Sequence, residues 1–267
     1  MRRSLAKAPA AVFALVVLVG VGVVLTGLGA CDSRSGGGGA TALPAVSPSP
    51  RAAAVFRSRP TAAPAPHWRV ATALGPVVAY TAPSRSARIR ARFGRLNVNG
   101  RRTVFLVRSV RRVGGATWYG VWLPIRPNES RGWVRADGVA IRTTTARIVI
   151  SLRRRRIYVY KRGRLLGEFP VAVGRSGLST PTGIFYITEK LRPATPGGPY
   201  GVLALGLSAF QPKLPNWPQG GPVAIHGTDQ GALIGQAVSH GCVRMRNADV
   251  LRVGAWVPTG SPVVIVK

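Results

Sequence analysis

Acidic side chains are scarce in this 267-residue chain: Asp and Glu number 7 against 38 Lys and Arg, for a formal charge of +31 at pH 7. Such an imbalance favours polyanionic partners, with nucleic acid, anionic lipid headgroups and anionic wall polymers as the classes it admits. The arginines are spread through strand-like segments rather than gathered on one helix, and no DNA- or RNA-binding motif accompanies them, so nucleic acid is disfavoured. Cysteine occurs twice, at Cys31 and Cys242, which excludes a disulfide framework and points to two separate chemistries. Histidine occurs three times, at His67, His226 and His240. With no Cys-x-x-Cys spacing, a zinc site of His226, His240 and Cys242 would lack an obvious fourth ligand, so no metal is expected.

The first thirty residues supply what the rest of the chain lacks, a long apolar run. Met1–Lys7 is basic, and Ala8–Ala30 is apolar apart from Pro9 and Thr26. This describes an export signal, or an uncleaved single-span anchor, since the run approaches spanning length. Leu28-Gly29-Ala30-Cys31 resembles a bacterial lipobox, which makes Cys31 a lipidation candidate. Either version predicts a chain whose remainder lies outside the cytoplasm, in the cell envelope. Residues 31–66 read as a linker, flexible at Gly36–Gly39 and stiffer through the following Ala/Pro/Ser mixture.

From residue 67 to 142 the pattern is β. Strand candidates are Arg69–Ala71, Val77–Tyr80, Val104–Val107, Trp118–Leu123 and Gly132–Arg135, separated by turn signals such as Asn99-Gly100 and Gly114-Gly115. Five short strands suggest a small barrel. Trp118, Tyr119, Trp122 and Trp133 could form a glycan or peptide platform, and they also suit the core of such a barrel, which is the favoured expectation. A second β-rich region, 145–267, begins with the alternation of Ile148, Ile150 and Leu152. Arg153–Arg156 and Lys161–Arg164 read as turns. Residues 191–222, dense in Gly and Pro, read as a functional loop or flap. Asn247–Trp256 is the one helix candidate.

The chemistry gathers in one window. Ile225-His226-Gly227-Thr228 and Ser239-His240-Gly241-Cys242-Val243-Arg244-Met245 hold two of the three histidines and one of the two cysteines. A thiol attacks acyl groups as its thiolate, and a nearby imidazole can take the proton. Gly241 permits an unusual backbone angle and leaves N–H groups around Cys242 for an oxyanion. Arg244 is placed to bind a carboxylate. The order, histidine before cysteine, runs opposite to that of papain-like peptidases.

These residues, with Ser179-Thr180-Pro181-Thr182-Gly183-Ile184-Phe185 upstream, resemble the signature of the L,D-transpeptidase (YkuD) catalytic domain from about Ile148 to Lys267. The run Trp118–Pro124 followed by Gly132-Trp133-Val134 is similar to bacterial SH3-like modules. The resemblance implies a mainly β protein, a small SH3-like barrel followed by a β-sandwich-like catalytic domain with few short helices. It implies Cys242 as nucleophile, His226 as proton donor and acceptor, Gly227 as backbone orienter of His226, and Gly241 in the oxyanion region. Arg244, His240 and Ser239 then line the substrate site, no cofactor is needed, and the partners are peptidoglycan stem peptides and anionic wall polymers, without nucleic acid. The implied activity is stem-peptide cross-linking through a Cys242 thioester with loss of terminal D-alanine. Rivals are an L,D-carboxypeptidase or protein-attaching enzyme on the same residues, and a wall-binding protein with an idle domain; intact His226 and Cys242 argue against the last.

Overall fold

The computed structural model describes residues 66–215 and 221–267. The signal or anchor, the lipobox-like Cys31 and nearly all of the linker lie outside the described residues. The described residues fall within one compact unit, Arg59–Lys267.

Two large sheets make up this unit. The first is built from β1 (Trp68–Ala73), β2 (Val77–Tyr80), β3 (Ile89–Phe93), β4 (Val104–Val113), β5 (Ala116–Trp122), β6 (Arg131–Arg135) and β7 (Val139–Thr144). Its order is β3-β2-β6-β5-β4-β1-β7, antiparallel throughout. Gly114 and Gly115, at φ 56° and 75°, turn β4 directly into β5, as a two-residue hairpin whose twist suits the strands requires. Two strands go beyond the five expected. Ile89–Phe93 alternates apolar Ile89, Ala91 and Phe93 with two arginines yet carries no fully buried residue, and Val139–Thr144 buries only its two ends.

The second sheet contains β8 (Ala146–Ser151), β9 (Arg156–Lys161), β10 (Arg164–Pro170), β12 (Gly183–Leu191), β13 (Ala204–Phe210), β14 (Pro222–His226), β16 (Val243–Arg244) and β17 (Pro262–Val266), in the order β10-β9-β8-β17-β12-β13-β14-β16. The short strands β11 (Val173–Gly174) and β15 (Ala237–Ser239) pair in parallel beside it. Helix α1 (Asn247–Trp256) lies where the sequence predicts it and buries Val250, Val253 and Gly254. Ile148, Ile150, Val159, Ile187, Leu205, Ile225 and Val243 all belong to one buried cluster with these residues.

Residues 191–222 are not a plain loop. Strand β13 runs through them, in the sheet between β12 and β14. Its inward side chains, Leu205, Leu207 and Ala209, are buried, while Gly206 and Ser208 stand between them. Gly206 is needed for close approach, because a Cβ there would lie 2.9 Å from Glu189 Cγ on β12. The small residues that permit this packing also gave the segment its loop-like composition.

The two sheets meet through specific contacts. Tyr186, fully buried on β12, donates its hydroxyl to the Trp122 carbonyl at 3.3 Å and packs with Val70, Val104 and Leu106. Glu189, one of the few acids, accepts from Asn97 and Asn99 at 2.8 and 2.9 Å. Trp118 and Trp122 are 2% and 8% exposed, which makes them core residues rather than a platform.

Candidate active site

The site is set by the pairing of β14 with β16. These strands run parallel, with Ile225 beside Val243 and His226 beside Arg244. Side chains alternate faces along each strand. Val223, Ile225 and Val243 therefore point into the buried core, and Ala224, His226 and Arg244 share the opposite face. Cys242 immediately precedes β16, and its thiol lies near the Ala224 backbone of β14. The fifteen residues between His226 and Cys242 in sequence are spanned by the pairing of β14 with β16.

His226 is buried and its ring is fixed. Its Nδ1–H donates to the carbonyl oxygen of Gly227 at 2.5 Å. A carbonyl can only accept, so Nδ1 carries the proton and Nε2 keeps a free lone pair. The surrounding main chain is clamped. Gly227 N–H donates to the Leu203 carbonyl at 3.0 Å, and the His226 carbonyl accepts from Met245 N–H at 2.8 Å. The Tyr200 ring lies beside the imidazole, with centroids 5.0 Å apart.

Two residues that the motif did not indicate hold this corner. Asn247, in the first turn of α1, offers Oδ1 to the Thr228 N–H at 3.2 Å. Gly201, at φ 62°, lies so close that a Cβ would come within 2.5 Å of the Gly227 carbonyl carbon. The hint for Asn247 was its place at the start of a helix; for Gly201 there was none beyond a Gly-rich stretch.

Electrostatics favour the neutral forms of both His226 and Cys242. Burial lowers the His226 pKa from 6.5 to about 4; the Gly227 carbonyl opposes this and the Arg244 charge adds to it. Burial likewise pushes the Cys242 thiol up, against a hydrogen bond from the Ala224 backbone and the Arg244 charge, which both favour the thiolate. A neutral imidazole is a base ready to act, and a neutral thiol must hand over its proton as it attacks.

The turn before Cys242 is tightly organised. Ser239 is 1% exposed; its hydroxyl donates to the Cys242 carbonyl at 2.6 Å and accepts the Gly241 N–H at 3.1 Å. Its side chain thus shapes the turn rather than facing a substrate. Gly241 has φ 123°, a region that favours glycine. Its own N–H is engaged by Ser239, so an oxyanion donor has to come from a neighbouring peptide. His240 is exposed, with its pKa lowered by desolvation, then by Arg175 and Arg244. Arg244 Nη1 donates to Gln230 Oε1 at 3.0 Å, while its buried Nε has no partner among the described residues. Buried Gln211, unremarked in the sequence, sends its amide to the His240 carbonyl at 3.1 Å.

Comparison with known proteins places these observations in a family. Residues 145–265 match the L,D-transpeptidase catalytic domain (YkuD). A Bacillus licheniformis relative described as an L,D-transpeptidase YkuD is 41% identical over 123 residues, covering 46% of this chain and 67% of that protein. The Bacillus subtilis counterpart is 38% identical over 118 residues, covering 44% and 64%. The chain thus spans about two thirds of the length of these relatives. Among solved structures, L,D-transpeptidase 3 from Mycobacterium tuberculosis is 15% identical with a TM-score of 0.40, covering 60% of this chain and 98% of that one.

Proposed function

The chain belongs to the L,D-transpeptidase (YkuD) family, and from that premise we propose that it cross-links peptidoglycan stem peptides through a Cys242 thioester. Cys242 Sγ adds to the carbonyl joining the diamino acid at stem position three to the terminal D-alanine, and its proton passes to His226 Nε2. Collapse of the adduct breaks the C–N bond, and the imidazolium returns the proton to the departing D-alanine amine. An amine on another stem's diamino acid then attacks the thioester, gives a proton to His226 and releases the thiol. Arg244, held by Gln230 through Nη1, supplies the guanidinium for the stem carboxylate.

One observation carries the reading. His226 donates Nδ1–H to Gly227 and so keeps Nε2 as a base at the end of β14, the strand paired with the one that Cys242 immediately precedes. A structural histidine has no need of that pairing. In this reading the first sheet is an SH3-like accessory module, and the basic, then apolar, N-terminus carries the chain into the cell envelope, with Cys31 as lipid attachment point. The excess of arginine keeps it near anionic wall polymers.

The test is intact mass after incubation with a carbapenem, which by family resemblance acylates the catalytic cysteine. A single adduct on the parent that disappears in Cys242→Ser supports the assignment; no adduct on folded parent overturns it. With a tetrapeptide stem as donor, D-alanine release together with a dimer marks the transpeptidase. Release with only the tripeptide as co-product marks a carboxypeptidase instead.

A further inference from the structure

The segment between β5 and β6 belongs to the first sheet, and its side chains reach the second. Asn128 Nδ2 donates to the Phe210 carbonyl and Asn128 Oδ1 accepts the Phe210 N–H, both at 2.8 Å. Arg126 Nη2 donates to the Gln211 carbonyl at 3.0 Å, and its guanidinium lies 5.1 Å from the Phe210 ring centroid. Glu129 Oε1 accepts the Ile184 N–H at 3.1 Å. That approach needs Gly183, at φ 138°, where a Cβ would stand 2.8 Å from the Glu129 carboxyl carbon.

These contacts fall where the sheet's own ladder gives out. Backbone pairing of β12 with β13 runs from Leu191–Ala204 to Ile187–Leu207 and stops there. The amide of Asn128 takes the place of the missing strand partner, so the end of β13 is held by side chains of the first sheet's loop.

From that end the contacts lead straight to the nucleophile. Gln211, 3% exposed, follows Phe210. Its Nε2 lies 3.1 Å from the Leu178 carbonyl, 3.0 Å from Ser179 and 3.1 Å from His240, so two protons are shared among three acceptors. The same nitrogen would stand 2.6 Å from a Cβ on Gly241, the residue before Cys242. The amide is pressed against the turn that aims the thiol.

We propose that Arg126 and Asn128 are positioning residues for Cys242: they fix Phe210–Gln211, and the Gln211 amide fixes the His240–Gly241 turn. The inference rests on Cys242 being the nucleophile, and it makes the first sheet part of the reaction centre rather than only a tethered module. Binding and chemistry tolerate little displacement of a nucleophile, with about 1 Å costing up to about 100-fold.

The experiment uses the full-length chain and two readouts, the second-order rate of carbapenem acylation and amide hydrogen exchange at Gly241 and Met245. Asn128→Ala and Gln211→Glu should each slow acylation by about tenfold or more. The double variant should be no slower than the worse single one, because the residues act in series. Asn128→Asp, which keeps the acceptor and loses the donor, should fall between parent and Asn128→Ala, and it serves if the alanine variant does not fold. Gly241 exchange should quicken in Asn128→Ala while Met245, bonded to the His226 carbonyl, stays as in the parent. Parent-like acylation in Asn128→Ala, multiplying losses in the double variant, or equal quickening at both amides would each overturn the proposal. A parent that is never acylated would instead defeat the functional reading, and exchange at Gly241 would still decide the coupling.

Discussion

Replacing His226 with Asn should remove an acid sensitivity that the fold carries in this one ring. The folded pKa is about 4 against 6.5 for an unperturbed histidine, because the buried imidazole is costly to charge. Between those values the unfolded chain binds the proton more readily, so stability is lost as pH falls from 6.5 towards 4. The full shift corresponds to about 3 kcal/mol, and the part lost between pH 7 and pH 5 to about 2 kcal/mol. For a domain of this size that is about 4–8 °C in Tm. His226→Asn keeps a donor for the Gly227 carbonyl but cannot titrate. His67 and His240 are common to both proteins and cancel. Thermal unfolding of parent and variant at pH 7 and pH 5 should therefore show the parent losing about 2 kcal/mol more than the variant. Equal losses would refute the claim that His226 is buried and neutral.

Three further outcomes follow from the same geometry. The acid limb of the carbapenem acylation rate should fall near pH 4 rather than 6.5, since protonating His226 removes the base; a limb at the ordinary histidine value in a stopped-flow pH series would contradict this. Ser239→Ala leaves the Gly241 N–H and the Cys242 carbonyl without their partner and should cost about 1–3 kcal/mol in urea unfolding, with slower acylation; unchanged stability would show that the turn holds itself. Gly201→Ala, at φ 62° with a Cβ 2.1 Å from Asn247 Oδ1, should cost about 3 kcal/mol or more, whereas Gly177→Ala, at φ 80° with open space around it, should cost about 1 kcal/mol. Parallel denaturation curves for the two variants would measure the difference as the price of close packing.

The candidate pair, His226 and Cys242, was legible because scarcity made it so. In a chain with three histidines and two cysteines, their gathering around residues 226–242 stands out, and the His-Gly and Ser-His-Gly-Cys contexts carry a family signature. Helix α1 and most strands were legible too, through the alternation of residues such as Ile148 and Ile150 and through Gly-bearing turns. Strand β13 was hidden, because glycine and serine let it pack close and also disguise it. Strand β3 is only five residues long and two of them are arginines, although Ile89, Ala91 and Phe93 do alternate along it.

Sequence alone therefore determined the chemistry available: a thiol, an imidazole and a guanidinium in one short window, within a β-rich, strongly basic chain. Tertiary structure decided how those groups are used. The parallel pairing of β14 with β16 brings Cys242, just before β16, next to the strand that ends in His226, and the Gly227 carbonyl selects the tautomer. Burial sets the neutral resting state. Asn128, Gln211 and Asn247 are ordinary amides in the sequence, and they gain a role only from main-chain groups brought near them from 19 to 82 residues away. Hydrogen bonds to the backbone depend on where a carbonyl or N–H points, and no residue type records that.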